Sequence, residues 1–177
     1  NLLPCYYKRE FVEWTDRGEG TAAPVAIHPV SSPIIGTAKR DATFKDRLPS
    51  GNYLENTASY FVTIINDDGS GETALITMKS TQLKTSRTWN SMMNSIKIKG
   101  SNGHFTPRPF SHIYNLKTVP QSNDKGTWFG WSISKVGPVQ DREIYEQAKA
   151  FAESISKGDV QTSHGEEEKT KSEATNY

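Results

Sequence analysis

Seven Lys and Arg side chains lie in the middle of the chain without an acidic residue among them. Residues 73–123 contain Lys79, Lys84, Arg87, Lys97, Lys99, Arg108 and Lys117 and no Asp or Glu, a net charge of +7. The 177-residue chain as a whole carries only +1, because residues 1–72 and 159–177 each carry −3. Cations gathered on one folded surface repel one another, and phosphates relieve that repulsion while releasing counterions. The pattern favours a polyanionic ligand; the alternative is that folding spreads these cations and pairs them with acids from residues 1–72.

Aromatic residues are interleaved with these cations. The set is Trp89, Phe105, Phe110, Tyr114, Trp128, Phe129 and Trp131. Proteins that bind single strands use cations for the backbone and flat rings on which bases stack. Strand alternation places Trp128 on an exposed face, together with Lys117 if the hairpin register is favourable, and turns Phe129 and Trp131 toward the core. We therefore expect nucleic-acid contacts from the seven cations, Phe105 and Trp128; for Trp128, an ordinary half-buried position is the alternative.

The chain lacks the motifs of common enzyme classes. It has no G-x-x-x-x-G-K-[ST], G-x-S-x-G, H-E-x-x-H or C-x-x-C sequence. One Cys and four scattered His offer no zinc-ligand spacing. We therefore expect no catalysis, no metal and no cofactor. Two alternatives stay open: a non-enzymatic protein-interaction module that acts on a polymerase or nuclease, and a nuclease that uses the dispersed carboxylates of Asp41, Asp46, Glu55, Asp67 and Asp68.

Four elements that would position these residues follow from periodicity and turn signals. Residues 58–65 and 73–78 are rich in β-branched and apolar residues and flank an Asp-Gly turn, which predicts a β-hairpin. From Thr81 the period changes to that of a helix of about four turns, with Trp89 on its buried face. Residues 105–109 are predicted to be irregular. Residues 112–119 and 127–136 form a second hairpin, joined by a loop at 120–126.

The remaining segments are a C-terminal helix and the two ends of the chain. An apolar stripe from Ile144 to Ile155, opened by Asp141 and closed by Gly158, predicts an amphipathic helix. Four prolines leave room for only short extended pieces in residues 1–52, of which 11–14 is the clearest. Residues 159–177 are acidic and almost without apolar side chains, so we expect a disordered tail after a domain of residues 1–158.

This order of elements predicts a mainly β, α+β fold. A helix between two hairpins is typical of the OB-fold, a five-stranded barrel that binds single-stranded nucleic acids and oligosaccharides. The prediction is therefore an OB-like five-stranded barrel with a C-terminal amphipathic helix, an order that other α+β sheets share. With 34% hydrophobic residues and no long apolar run, we expect a soluble cytoplasmic protein with no signal peptide and a processed or truncated start at Asn1.

Several blocks of the sequence resemble a family of bacteriophage proteins. They are ALITMKSTQLK at residues 74–84, SRTWN at 86–90, SNDKGTW at 122–128 and YEQAKAF at 145–151. The resemblance covers roughly residues 11–158 and implies a link to phage single-stranded DNA-binding proteins, which protect DNA during replication or recombination. The partners it implies are single-stranded DNA and replication proteins held by the acidic tail; a tail without a partner is the alternative, and pairing of two copies through residues 1–52 is left open.

Overall fold

The computed structural model describes residues 1–19, 23–124 and 126–160. Its strands are β1 Leu2–Trp14, β2 Ala26–Pro29, β3 Lys39–Arg40, β4 Asp46–Arg47, β5 Tyr53–Ile65, β6 Gly71–Lys79, β7 Ile98–Gly100, β8 Gly103–Phe105, β9 His112–Asn123 and β10 Gly126–Pro138. Its α-helices are α1 Leu83–Ser95 and α2 Arg142–Lys157, and short 3-10 turns occupy Pro33–Thr37, Ser80–Gln82 and Pro109–Ser111. The predicted disordered tail lies outside the described residues from residue 161 onward.

Eight strands form one antiparallel sheet that curls into a half-barrel. Their order is β10-β9-β1-β5-β4-β3, with β2 added to β1 and β6 added to β5. The mainly β, α+β prediction is confirmed. Within the described residues no pairing joins β6 to β10, so the sheet stays open on that side. Helix α1 contacts β5, β6 and β10 and lies across this opening.

Strand β1 is the centre of the sheet, and the prediction of only short extended pieces before residue 52 is wrong here. It runs for 13 residues and pairs with β5 from Leu2 to Trp14. A bulge between Pro4 and Tyr6 accommodates the proline, which has no N–H for the ladder. The charged residues Lys8 and Glu10, which obscure the strand signal, form an ion pair with each other along the strand.

The first hairpin is confirmed. Strands β5 and β6 pair from Thr57–Lys79 to Ile65–Gly71. In the turn between them, the Asp68 carboxylate accepts hydrogen bonds from the backbone N–H and the hydroxyl of Ser70, at 2.9 and 2.6 Å. These bonds hold the pKa of Asp68 below its ordinary value. The Asp68 carboxylate therefore stabilises the turn between β5 and β6.

The second hairpin is longer than predicted. The loop predicted at 120–126 is wrong, since β9 continues to Asn123 and β10 begins at Gly126. Within the described residues, β9 pairs with β1 only at Leu2–Tyr114. At Pro120, one edge of β9 therefore has no neighbouring strand, and a proline, which has no N–H to donate, is tolerated there. The hairpin therefore extends as a two-stranded ribbon past the point where β1 supports it.

Two hydrophobic cores lie on opposite faces of the sheet, and neighbouring residues of β1 divide between them. Leu2 belongs to the core under α1, and Leu3 belongs to the core under α2. Trp89 is completely buried, as predicted, and its ring stacks on Tyr60 with centroids 4.3 Å apart.

Among the described residues, no helix combines the length and the apolar character that crossing a membrane requires.

Helix α2 begins and ends where the sequence predicts. The Asp141 carboxylate accepts hydrogen bonds from the backbone N–H groups of Glu143 and Ile144, which would otherwise have no partner at the helix start. Gly158 ends the helix with φ of 83°, a conformation that favours glycine. Between these caps, Ile144, Ala148, Ala152 and Ile155 are buried.

Candidate nucleic-acid interface

The outward side of α1 carries two of the predicted cations. Ser86, Trp89 and Met93 are the buried residues of the helix. The residues at helical spacing on the other side are exposed: Lys84, Arg87, Thr88, Ser91, Asn94 and Ser95. With 13 residues at about 1.5 Å each, this exposed stripe is about 20 Å long. Around Arg87 it forms an open depression of about 460 Å³ lined by hydroxyls and Met92.

The β7–β8 hairpin follows α1 directly and adds two cations. Lys99 pairs with His104 and Ile98 pairs with Phe105, so alternation sets Lys99 and His104 on one face and the two apolar side chains on the other. The Lys97 ammonium, two residues before Lys99 and just outside β7, donates a hydrogen bond to Thr106 Oγ1. Phe105, predicted to lie in an irregular segment, is in β8 instead and keeps 51% of its surface exposed.

Arg108 lies beside the C-terminal end of α1. It is exposed and lines a small cavity of about 70 Å³ together with Met93 and Ile96. Phe110, on the other side of Arg108, is buried in the core under α2. Of the two aromatic residues around Arg108, one therefore points outward and one inward. Helix α1 and the segment after it carry Lys84, Arg87, Lys97, Lys99 and Arg108, a set of cations that we call the α1 stripe, and Phe105 lies on the hairpin face opposite Lys99.

Two of the predicted cations lie elsewhere. Lys79, at the end of β6, forms an ion pair with Glu55 at 2.8 Å. Of the seven predicted cations, Lys79 is the one that forms an ion pair with an acidic side chain among the described residues. The alternative that acids from residues 1–72 pair with these cations therefore applies to Lys79 alone. Lys117 is exposed on β9 opposite Ser132. It is on the sheet face away from Tyr114, which is buried against α1.

Trp128 is half-buried at the tip of the β9–β10 ribbon. Its indole N–H donates to Gln121 Oε1 at 3.0 Å, across the strand pair. One side of the ring lines a cleft of about 260 Å³ with Thr81, Asn123, Gly126 and Thr127. Thr81 lies one helical turn before Lys84, so this cleft adjoins the N-terminal end of the α1 stripe.

Trp128 and Lys117 share a sheet face, as the alternation predicts. They are not neighbours, because Trp128 pairs with Gln121 whereas Lys117 pairs with Ser132, four residues further along β10. Four residues of strand span about 13 Å. Lys117 is therefore a separate charge on the flank of the ribbon.

Phe129 contradicts the prediction that it points into the core. Its exposed fraction is 72%, the highest among the large hydrophobic side chains of the described residues. Trp131 and Ile133, on the same face of β10, do pack against the core under α1. Phe129 pairs with Pro120 nearer the tip, past the end of that core. Pro120 is the residue in the sequence that indicates the exposure of Phe129, because a proline inside a strand marks an edge that has no neighbouring strand.

Four of the five carboxylates considered as metal ligands have other partners: Asp41, Asp46, Glu55 and Asp68. Asp41 accepts hydrogen bonds from Thr43 and from the Lys45 backbone, and these bonds keep the pKa of Asp41 far below its usual range. Asp46 pairs with Arg40 at 2.8 Å. In the part of the chain that the structure describes, no three His, Cys, Asp or Glu side chains lie close enough together to hold a metal ion.

Comparison with known proteins gives one match. A family model described as Pam3 phage gp34-like protein matches residues 1–161. A search of the curated proteins finds no match. A search of the solved structures also finds none. The matched residues include every strand and helix from β1 to α2, and the resemblance to a bacteriophage family is confirmed. The chain belongs to the Pam3 phage gp34-like protein family.

Proposed function

We propose that this protein binds single-stranded DNA along the α1 stripe. The observation that carries the proposal is the set of cations on this surface: Lys84, Arg87, Lys97, Lys99 and Arg108 form no ion pair among the described residues. Residues 73–123 supply no acid that could compete for them. Exposed cations without acidic neighbours attract phosphates and gain entropy from released counterions.

The shape of the surface suits an extended strand. Two of the cations, Lys84 and Arg87, lie about 4.5 Å apart along the helix axis, and Lys97 and Lys99 share one face of the hairpin that follows, so a phosphate backbone that runs along the helix can meet the two pairs in succession. A partly exposed ring lies near each end, Trp128 in its cleft and Phe105 on the face of β8 opposite Lys99. Stacking accepts any base, which suits binding that does not depend on sequence.

The OB-like interpretation of the fold is part of this proposal. A curled antiparallel sheet with a helix across its opening is the kind of scaffold on which OB-fold proteins hold single strands. In a bacteriophage, such binding would protect exposed strands during replication or recombination. Membership of a phage family is consistent with this role.

The salt dependence of affinity tests the electrostatic part. For a fluorescent oligonucleotide, contact of about four cations with phosphates predicts a slope of log K against log salt of roughly −3, at ~0.7 per contact. The double variant Lys97→Ala/Lys99→Ala should reduce the slope by about 1.4. Lys79→Ala is the matched control, because Glu55 already neutralises this cation, and it should leave the slope unchanged.

The same titration should be repeated with RNA and with duplex DNA of equal length. A slope near zero for the wild-type protein, or equal losses in Lys79→Ala and the double variant, would contradict binding along the α1 stripe. Tighter binding of the duplex than of the single strand would contradict the choice of ligand.

A further inference from the structure

The small cavity at the C-terminal end of α1 has a mainly polar lining. Asn94 at the helix end and Thr106, Arg108 and Ser111 in the segment that leads into β9 all line it. Tyr114 of β9 lines it as well, and we call it the Tyr114 cavity. Its volume of about 70 Å³ is the room that about two water molecules take in the liquid, at ~30 Å³ each.

The hydroxyl of Tyr114 has no hydrogen-bond partner among the described residues, although the side chain is completely buried. A buried polar group without a partner costs free energy, and it calls for a water molecule or a ligand. The edge-on contact of the ring with Trp89, with centroids 5.8 Å apart, holds the hydroxyl in place. Burial raises the pKa of Tyr114 to about 12, so at neutral pH the hydroxyl keeps its proton and can donate it.

Two cations flank the Tyr114 cavity. Arg108 lines it, and the Lys97 ammonium donates a hydrogen bond to the hydroxyl of Thr106, another lining residue. In the part of the chain that the structure describes, neither cation forms an ion pair. The carbonyl end of α1 contributes a partial charge of about −0.5, which two full positive charges exceed. The site therefore favours an anion that accepts hydrogen bonds.

The terminal phosphate of a nucleic-acid strand matches this site better than a phosphate within the backbone. A phosphate monoester carries a charge of about −1.5 to −2 at neutral pH and has three acceptor oxygens, which suits two cations and a hydroxyl donor. A backbone phosphate carries a single charge. A monoester is also attached to the strand through one oxygen, so it can enter a small cavity from one side, whereas a diester has a chain on both sides.

We propose that the Tyr114 cavity holds the terminal phosphate of a DNA strand. Arg108 and the hydroxyl of Tyr114 donate hydrogen bonds to its oxygens, and Lys97 neutralises charge beside them. The strand then continues from the C-terminal end of α1 along the α1 stripe. This inference rests on the proposed binding of single-stranded DNA and adds a preference for strand ends that carry a phosphate.

The test compares three short single strands of one sequence, with hydroxyl groups at both ends, with a 5′-phosphate or with a 3′-phosphate. Each competes with an internally labelled strand in a fluorescence anisotropy titration at one salt concentration. One of the two phosphorylated strands should bind the wild-type protein about tenfold more tightly than the hydroxyl-ended strand, the size of one hydrogen bond to a charged group. Inorganic phosphate, compared with chloride at equal ionic strength, should reduce this gain.

Tyr114→Phe removes the hydroxyl and keeps the ring. It should lose the gain from the terminal phosphate, keep the wild-type affinity for the hydroxyl-ended strand and melt no lower than the wild type, because the hydroxyl has no protein partner to lose. Tyr7→Phe, which changes an exposed tyrosine of β1, is the matched control and should keep the gain.

Equal wild-type affinity for the three strands would mean that the cavity holds water only. That result, an undiminished gain in Tyr114→Phe, or a lower melting temperature of this variant overturns the end-binding proposal and leaves single-strand binding intact. An equal loss of affinity for hydroxyl-ended and phosphorylated strands in Tyr114→Phe overturns it too, because it places a backbone phosphate in the cavity. Failure of the wild-type protein to bind any of the strands overturns both proposals.

Discussion

The ring of Trp128 is oriented by a hydrogen bond from its indole N–H to Gln121, and one side of the ring is open to the cleft. The Trp128→Ala variant should therefore bind single-stranded DNA about tenfold more weakly, since one base stack contributes ~1–3 kcal/mol. Trp128→Phe removes the indole N–H but keeps a flat ring, and it should recover most of the affinity. Anisotropy titrations of the three proteins measure the difference.

Unchanged affinity in Trp128→Ala would remove this residue from the interface. Equal losses in the Ala and Phe variants would mean that the hydrogen bond to Gln121, and not the ring, is what matters. Thermal unfolding of each variant is the control, since Trp128 is only half-buried and the fold should tolerate both changes.

The long segment between β1 and β5 depends on a charge network. Asp16 accepts hydrogen bonds from Arg47 Nη1 and Lys45 Nζ at 2.7 and 2.6 Å. These bonds, first that of Arg47 and then that of Lys45, lower the pKa of Asp16 from 3.8 to about 2. A carboxylate with a lowered pKa stabilises the folded state above its unfolded value, and that contribution disappears as the pH falls through the folded value.

The melting temperature should therefore fall as the pH is lowered from about 4 to about 2. Asp16→Asn, which cannot ionise, should melt lower than the wild type at neutral pH and show a shallower decline across this window. Asp67→Asn, an exposed turn residue outside the network, is the control and should follow the wild-type curve. A decline in Asp16→Asn as steep as in the wild type would contradict a role for this carboxylate.

Elements with a clear period were predictable, and β1 was not. The α2 stripe, its Asp141 cap and its Gly158 end are local signals and match the structure. Strand β1 has Pro4, Lys8 and Glu10 in its sequence, and it is a strand because β5 pairs with it along its length. Such a partner, about 50 residues away in sequence, leaves no local signature.

Part of the candidate site was also predictable from the sequence, and part of it was not. The charge count found the cations of the α1 stripe, yet the Glu55 partner of Lys79 comes from another strand and requires the register of β5 and β6. Alternation gave the correct face for Phe129 but the wrong exposure. The period of a strand fixes which side a residue faces and says nothing of how far the core extends beneath it.

At the scale of the whole molecule, the two cores share the same strands. Leu2 and Leu3 contribute to opposite cores from adjacent positions of β1, so neither core can unfold while the other keeps its sheet. We expect a single transition in urea, with far-UV circular dichroism and tryptophan fluorescence giving the same midpoint. Leu3→Ala should cost about 2–5 kcal/mol and lower both midpoints equally, although Trp89 lies in the other core.

The exposed Val136→Ala variant is the control for this measurement and should leave both midpoints unchanged. Two separate transitions, or a shift of one signal alone in Leu3→Ala, would show that the two faces of the sheet unfold independently.

The position of β1 also determines when the protein can assemble on the ribosome. Leu2 pairs with Ile64 and Tyr114, so this strand is translated long before its neighbours exist. At 5–20 residues per second, the wait for Tyr114 lasts about 6–22 seconds. Throughout that interval the apolar side chains of the nascent segment have no sheet to join. Chaperones that hold unfolded chains therefore have a long opportunity to capture it during synthesis.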